Sequence, residues 1–329
     1  MTQTTNVLLQ VENLKKHYPV NRGWFQRGQA RFLRAVDGLS IHVKPRETLG
    51  LVGESGCGKT TTGRVIMGLE PATDGQVFLG DSDDLCSLSG KEWMPYRRRI
   101  QMIFQDPYSS LNPRMTVGSI VGEPLSVHRL ARGEDKRKRV AQLFEQVGLS
   151  ARAMDRFPHE FSGGQRQRVG VARALAVEPE LIIADEPVSA LDVSIQAQII
   201  NLLQELQETH DLSFVFISHD LSVVGHISHR VAVMYLGKIV ELADKKELFE
   251  EPLHPYTQAL LSAAPKIGAK GPSKRIVLKG DIPSAVTPPP GCPFHPRCPK
   301  RFEGCDRIVP KYQEVRPGHW VSCRLYEDQ

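Results

Sequence analysis

The stretch Gly53-Glu54-Ser55-Gly56-Cys57-Gly58-Lys59-Thr60 constrains this chain more than any other. It fits the pattern G-x-x-x-x-G-K-[ST], and its flanks are the ones that pattern needs. Apolar Thr48-Leu49-Gly50-Leu51-Val52 predicts a buried strand before it, and Thr61 to Met67 predicts a helix after it. Three glycines let the backbone curl so that successive N–H groups point into one concavity, to which the helix adds its positive N-terminal end. A concavity of that kind suits a triphosphate. Lys59 is placed to reach the β- and γ-phosphates, and the Thr60 hydroxyl to complete the coordination of a magnesium ion.

The bulk numbers narrow the setting. With 329 residues, 40% hydrophobic and 24% charged, the chain has the composition of an ordinary globular protein with one large domain or two smaller ones. No apolar run long enough to span a bilayer occurs, and Met1 to Val11 lacks the charged and apolar regions of a signal peptide, which predicts a cytoplasmic protein. The net charge of +5 and pI near 8.9 are mildly basic. Arg97-Arg98-Arg99 and Lys136-Arg137-Lys138-Arg139 read as solvated helix faces rather than a nucleic-acid surface.

Val7 to Tyr18 reads in part as an edge strand, with Tyr18 a candidate platform for a nucleobase. Asn21 to Arg34 reads as a basic loop insertion. Strands are predicted over Leu39 to Val43, Gly75 to Gly80 and Ile100 to Gln105. The last of these stops at Gln105 and enters Asp106 to Pro113, a run of turn formers, so that Gln105 is placed to sense a bound nucleotide. Helical periodicity then runs from about Thr116 to Val177. Within it, Ser162-Gly163-Gly164-Gln165 opens a helix with a good N-cap and two glycines that leave backbone N–H groups uncovered, a second anion-binding helix start.

Leu181 to Glu186 is a short apolar strand ending in two acids. A carboxylate at the carboxyl end of a central strand is where magnesium coordination needs one, which assigns Asp185 to the ion and Glu186 to orienting and deprotonating an attacking water. After the turn Ser189-Ala190-Leu191-Asp192 comes a helix over Val193 to Thr209, then a buried strand over Leu212 to Ile217 ending in Ser218-His219-Asp220, which assigns His219 to the γ-phosphate. Val231 to Lys238 reads as a hairpin closing the domain. Beyond Glu251, prolines interrupt every pattern except a short helix over Tyr256 to Ala264, and the segment reads as an accessory domain with little regular structure and no large apolar core.

Tyr18, the phosphate loop, Gln105, the Ser162 to Gln165 motif, Asp185-Glu186, Ser189 to Asp192 and His219 stand in the order found in the ATP-binding cassette family, which this chain resembles. The resemblance implies an α/β fold of the phosphate-loop NTPase type: a RecA-like core, a small antiparallel β subdomain, and a helical signature subdomain at about 110–178. The cassette would occupy residues 1–250 and a proline- and cysteine-rich C-terminal extension residues 251–329. It implies ATP and magnesium as ligands, with Tyr18, Gly53, Glu54, Ser55, Gly56, Cys57, Gly58, Lys59, Thr60, Thr61, Gln105, Asp185 and Asp192 around the nucleotide. Magnesium would be held by Thr60, Gln105 and Asp185, and Glu186, His219, Lys59 and Gln105 would act in hydrolysis. Ser162, Gly163, Gly164 and Gln165 would act on the ATP of a second cassette in a head-to-tail dimer.

Lys16 to Val20, His254 to Leu261 and Pro288 to Pro293 are similar to the dipeptide and oligopeptide importer ATPases, in particular to the second of their two ATPase subunits. That similarity implies a paralogous ATPase, two integral membrane permease subunits and, indirectly, an extracytoplasmic peptide-binding protein as partners. It places the chain on the cytoplasmic side of the membrane, with no nucleic acid involved. The same engine driving nickel, glutathione or another small solute is the alternative, and a soluble non-transport cassette is a further one.

Cys292, Cys298, Cys305 and Cys323, spaced C-x5-C-x6-C-x17-C, crowd the extension. In a cytosolic chain such crowding points to a metal site before disulfides, although the spacing alone does not choose between zinc and an iron–sulfur cluster. Resemblance to the peptide-importer ATPases favours a [4Fe–4S] cluster over zinc or free thiols, with His295 and His319 as spare ligands.

Overall fold

Apolar runs too continuous to alternate become strands buried on both faces, and the positions of the candidate residues follow from where those strands end. The computed structural model describes residues 7–20, 31–106, 108, 110–263 and 275–327. Among the described residues the strands are β1 (Leu9–Pro19), β2 (Phe32–Val43), β3 (Thr48–Val52), β4 (Asp74–Leu79), β5 (Ile100–Ile103), β6 (Leu181–Asp185), β7 (Ser213–Ser218), β8 (Arg230–Tyr235), β9 (Lys238–Asp244), β10 (Tyr312–Arg316) and β11 (His319–Ser322). The chain divides into two compact units, one built mainly from 88–217 and the other from 7–42, 48–87 and 218–329.

In the first unit β5, β6 and β7 are parallel, with Ile100 opposite Leu181 and Leu181 opposite Ser213. Every residue of β6 and β7 is buried. The helices Val117–Val127, Gly133–Gln146 and Gly163–Leu175 fill the stretch whose periodicity predicts them, and Val193–His210 follows. The basic runs lie on helices and meet acids: Arg99 pairs with Glu180 at 2.6 Å, Arg137 with Asp155 at 3.1 Å, and Arg139 with Glu178. Exposed pairs of this kind contribute at most about 1 kcal/mol each.

The second unit holds a three-stranded sheet in the order β2-β1-β4, in which β1 and β4 are antiparallel, and five further strands in the order β10-β11-β9-β8-β3. Here three expectations are corrected. First, β1 is the central strand of its sheet, not an edge. Its polar residues are partnered across the sheet, Lys15 with Asp74 at 2.7 Å and His17 with Asp37 at 3.0 Å. Second, β2 begins at Phe32, so Phe32 to Arg34 are strand rather than loop, while 21–30 lie outside the described residues.

Third, the β8–β9 hairpin does not close the domain, because the sheet continues past β9. β11 pairs with β9 in antiparallel fashion, with Trp320 opposite Leu242, and β10 pairs with β11. The extension therefore adds two strands to the sheet and shares an aromatic core with β8. Tyr235 of β8, Tyr256 of the helix Pro255–Ala263 and Phe294 are all buried, with ring centroids 4.7 to 5.4 Å apart. Such aromatic groupings each add about 0.5–1.5 kcal/mol beyond the area they bury.

Beside them sits a buried polar knot. The carboxylate of Glu241 accepts from the backbone N–H groups of Leu253 (2.7 Å) and His254 (2.9 Å) and lies 2.8 Å from His319 Nε2. Glu241 and His319 are both 0% exposed, so the hydrogen bonds of the Glu241 carboxylate stand in for water. Among the described residues no helix is long and apolar enough to cross a membrane.

Candidate nucleotide site

In the second unit the buried strand β3 runs into the phosphate loop, and the helix Lys59–Ile66 leaves it. Gly58, at φ 110°, lies where a Cβ would meet the carbonyl oxygen of Ala35 at 2.0 Å, so no other residue type fits without moving backbone. The loop is seated on the β8–β9 turn, where the Gly237 N–H donates to the carbonyl of Cys57 at 2.9 Å. No side chain caps the helix and no acid lies in its first turn, which leaves its positive end to an anion.

Lys59 is buried and folds back over the loop, its Nζ donating to the carbonyls of Gly53 (2.8 Å) and Glu54 (3.2 Å). Cys57 is buried, and burial raises its thiol pKa above the usual range, which keeps it neutral. Tyr18 donates to Glu70, and burial followed by that carboxylate raises the phenol's pKa, with Thr61 and Arg64 acting in the opposite sense. Lys16 Nζ stands 4.8 Å from the centre of the Tyr18 ring, so one ring face already carries a cation. His219 is exposed immediately after β7.

Glu54 has partners that the sequence did not disclose. Its backbone N–H donates to the Tyr256 hydroxyl at 2.9 Å, and its carboxylate is held by Arg297 in a bidentate pair of 2.6 and 3.0 Å. Both partners belong to the C-terminal extension.

The first unit carries the acidic groups. Asp185 ends β6 at 3% exposure. Glu186 follows with φ 45°, a left-handed conformation that costs a side-chain-bearing residue energy and turns the chain sharply away from the strand. Its N–H is nonetheless held by the Ile217 carbonyl at 2.9 Å, and its own carbonyl accepts from Ser189 N–H and Oγ at 3.2 and 3.1 Å. Gln105, two residues past β5 and exposed, donates from Nε2 to Glu186 Oε2 at 2.9 Å. Two residues that the sequence assigned separately are thus brought together.

Ser162 caps the helix Gly163–Leu175 as a capping box. Its Oγ accepts from the Gln165 N–H at 3.3 Å, while Gln165 Oε1 accepts from the Ser162 N–H at 3.0 Å. Gly164 packs against the helix Val193–His210, where a Cβ would come within 2.5 Å of Ile195 Cγ2. Asp192 is the N-cap residue of that helix. Two arginines missed in the sequence tie the signature helix to the loop after Gln105: Arg173 Nη1 donates to the Ser110 carbonyl at 2.6 Å, and the Arg166 guanidinium lies 3.8 Å from the Tyr108 ring centre. Spacing offered no signal for either.

The four cysteines of the extension are free. Burial raises the pKa of Cys292 to about 11, that of Cys298 above its usual value and that of Cys323 to about 12, and the thiols of Cys292, Cys298 and Cys305 add to the shift at Cys323. They lie near one another, but among the described residues no group of three or more His, Cys, Asp or Glu side chains is arranged to hold a metal ion. His319 is engaged with Glu241, and His295 Nδ1 sits 2.9 Å from the Cys292 carbonyl.

A phosphate loop, a capped signature helix and an acid-ended strand on a mixed α/β framework define a nucleotide-hydrolysing cassette. The comparisons agree: residues 36–189 match the family described as ABC transporter, and residues 240–305 match the one described as oligopeptide/dipeptide transporter, C-terminal region. The chain belongs to the ABC transporter ATP-binding proteins and has their ATPase fold.

It is 53% identical over 322 residues to the oligopeptide transport ATP-binding protein AppF of Bacillus subtilis strain 168, covering 97% of each chain. It is 51% identical to the putative oligopeptide transport ATP-binding protein YkfD of the same organism, covering 98% of this chain and 96% of that one. Among solved structures, the dimeric post-hydrolysis state of the ATP-binding cassette MJ0796 bound to ADP and Pi aligns with a TM-score of 0.63 at 30% identity, covering 72% of this chain and 98% of that one.

Proposed function

We propose that this chain is the ATP-hydrolysing subunit of an ABC importer for dipeptides or oligopeptides, with residues 1–250 as the engine and 251–329 as its extension. The observation that carries the reading is likeness to oligopeptide transport ATP-binding proteins along nearly the whole chain, extension included. In this reading Lys59 and the loop N–H groups of Gly53 to Thr61 bind the triphosphate, and Tyr18 offers the ring face away from Lys16 to the base. Thr60, Gln105 and Asp185 present the hard oxygen donors that suit magnesium, which would supply charge neutralisation at the phosphates. Glu186, oriented by Gln105, takes the proton of the attacking water, and His219 contacts the γ-phosphate.

Ser162 to Gln165, with Asp192, serve the ATP of a second, paralogous cassette. The partners are that ATPase, two permease subunits and, through them, an extracytoplasmic peptide-binding protein, with this chain peripheral on the cytoplasmic face. Peptide selection belongs to those partners, since the fold does not determine the solute.

The four cysteines support a further proposal, a [4Fe–4S] cluster or, failing that, zinc in the extension. Four thiols in one segment that influence one another support it, but their described arrangement does not fit a bound ion, and no step here passes through one. Assays for iron and acid-labile sulfide on anaerobically purified protein decide it, and finding neither excludes the cluster.

Uptake of labelled peptides by a strain lacking this subunit tests the main reading. Restoration by the wild-type chain, but not by Lys59→Ala, is expected. Normal peptide uptake in the strain, with loss of nickel or glutathione uptake instead, would overturn it.

A further inference from the structure

Every polar group of Glu54, the first variable residue of the phosphate loop, is engaged. Its carbonyl accepts from Lys59 Nζ at 3.2 Å and from the Cys57 N–H at 3.3 Å, which are contacts internal to the loop. Its other two groups are held from the extension: the N–H by Tyr256 and the carboxylate by Arg297. Arg297 lies 243 residues from Glu54 in sequence, yet its side chain is only 8% exposed against 25% for Glu54.

The segment that delivers Arg297 is itself fixed. Successive turns run from His295 N–H to the Cys292 carbonyl (3.0 Å) and from Arg297 N–H to the Phe294 carbonyl (3.0 Å). The Cys292 N–H is bound in turn to the Cys305 carbonyl at 2.9 Å. Phe294 anchors these turns by packing its ring among Tyr235, His254 and Tyr256.

Two consequences follow from charge. A carboxylate in a loop that receives a polyanion opposes binding unless it is neutralised, and a bidentate guanidinium is the strongest side-chain partner available for that purpose. A buried guanidinium likewise needs its carboxylate, and Arg297 Nε has no hydrogen-bond partner of its own.

We propose that the C-terminal extension supplies Arg297 as a positioning residue for the phosphate loop, neutralising Glu54 and, with Tyr256, fixing the loop in the shape that receives the triphosphate. Arg297 does not touch the nucleotide; it acts through Glu54. The extension is thereby part of the ATP site, and a displacement of the 292–298 turns changes nucleotide affinity. The inference rests on the ATPase reading above.

The test is equilibrium binding of ATP with magnesium to the purified full chain, for wild type, Arg297→Gln, Arg297→Lys, Glu54→Gln and the Arg297→Gln/Glu54→Gln pair. Arg297→Gln is expected to weaken binding about tenfold by exposing the phosphates to an unpaired carboxylate, and Arg297→Lys, which keeps the charge without the fork, about threefold. The double variant is expected to bind more tightly than Arg297→Gln alone, because the offending anion is gone. A general loss of packing would not produce that recovery.

Amide exchange over Gly53 to Thr60 in nucleotide-free protein gives a second readout, expected to quicken in both Arg297 variants. Unchanged affinity and exchange in Arg297→Lys and Arg297→Gln, or a double variant weaker than Arg297→Gln, would overturn the proposal. Failure of the wild-type chain to bind ATP, with exchange still quickened by Arg297→Gln, would overturn the ATPase reading while leaving the brace itself in place.

Discussion

Gln105 Nε2 and Glu186 Oε2 are joined by a hydrogen bond of 2.9 Å, linking the end of one parallel strand to the acid that follows the next. The bond fixes one carboxylate oxygen of Glu186. Gln105→Ala is therefore expected to lower kcat for ATP hydrolysis about tenfold, with a smaller change in KM, because the base survives without its orientation. Steady-state kinetics of the assembled transporter measure this. An unchanged kcat would remove Gln105 from the hydrolytic step.

The close approach of Gly164 to Ile195 predicts a cost for any added side chain. Gly164→Ala should destabilise the protein by about 1–3 kcal/mol, since its Cβ would sit 2.5 Å from Ile195 Cγ2 on an adjoining helix. Adding Ile195→Ala should recover much of that loss. Urea denaturation of both variants reads it out, and equal midpoints for single and double variants would refute the steric account.

What the sequence disclosed and what it concealed divide along one line. The phosphate loop, the Ser162 N-cap and the strand ending in Asp185 were legible because each is a local pattern: a spacing, a cap, an apolar run with an acid at its end. Even the helix Val193–His210 followed from periodicity, within a residue of its expected end. What orders the extension was not legible, because it comes from distant pairings. Glu241 meets His319 78 residues away, and β11 joins β9 across the intervening proline-rich segment. The place of β1 at the centre of its sheet likewise depends on partners far off in sequence, Asp74 for Lys15 and Asp37 for His17. Alternation and turn signals carry no information about such partners.

The Glu241–His319 knot makes a stability prediction. Removing His319 leaves a wholly enclosed carboxylate with two backbone donors and no side-chain partner, at a cost of about 3 kcal/mol. His319→Ala should therefore lower the denaturation midpoint sharply, and His319→Gln, which keeps a donor, should lower it less. Identical losses in the two variants would show that ring packing, not the polar contact, sets the cost.

His254 makes a prediction in pH. Burial lowers its pKa from 6.5 to about 4, with Glu241 opposing that shift, and its Nδ1 accepts the Tyr256 N–H at 3.0 Å, a bond that only the neutral ring can take. Between those values the unfolded chain binds a proton that the folded chain refuses. Its contribution to stability is therefore complete above pH 6.5 and is lost as pH falls toward 4, a span worth about 3 kcal/mol. His254→Asn, which offers an acceptor without titrating, should show a shallower loss of stability over that window. Parallel stability curves for wild type and variant would contradict it.

Glu186 bears the central claim. In the assembled transporter, Glu186→Gln keeps the shape of the side chain and removes the base, so ATP binding should stay within about threefold of wild type while hydrolysis falls by about a hundredfold or more. The decisive measurement is phosphate release by that variant at saturating ATP: near-complete loss is the expected result, and turnover close to wild type would contradict the assignment of Glu186 as the base.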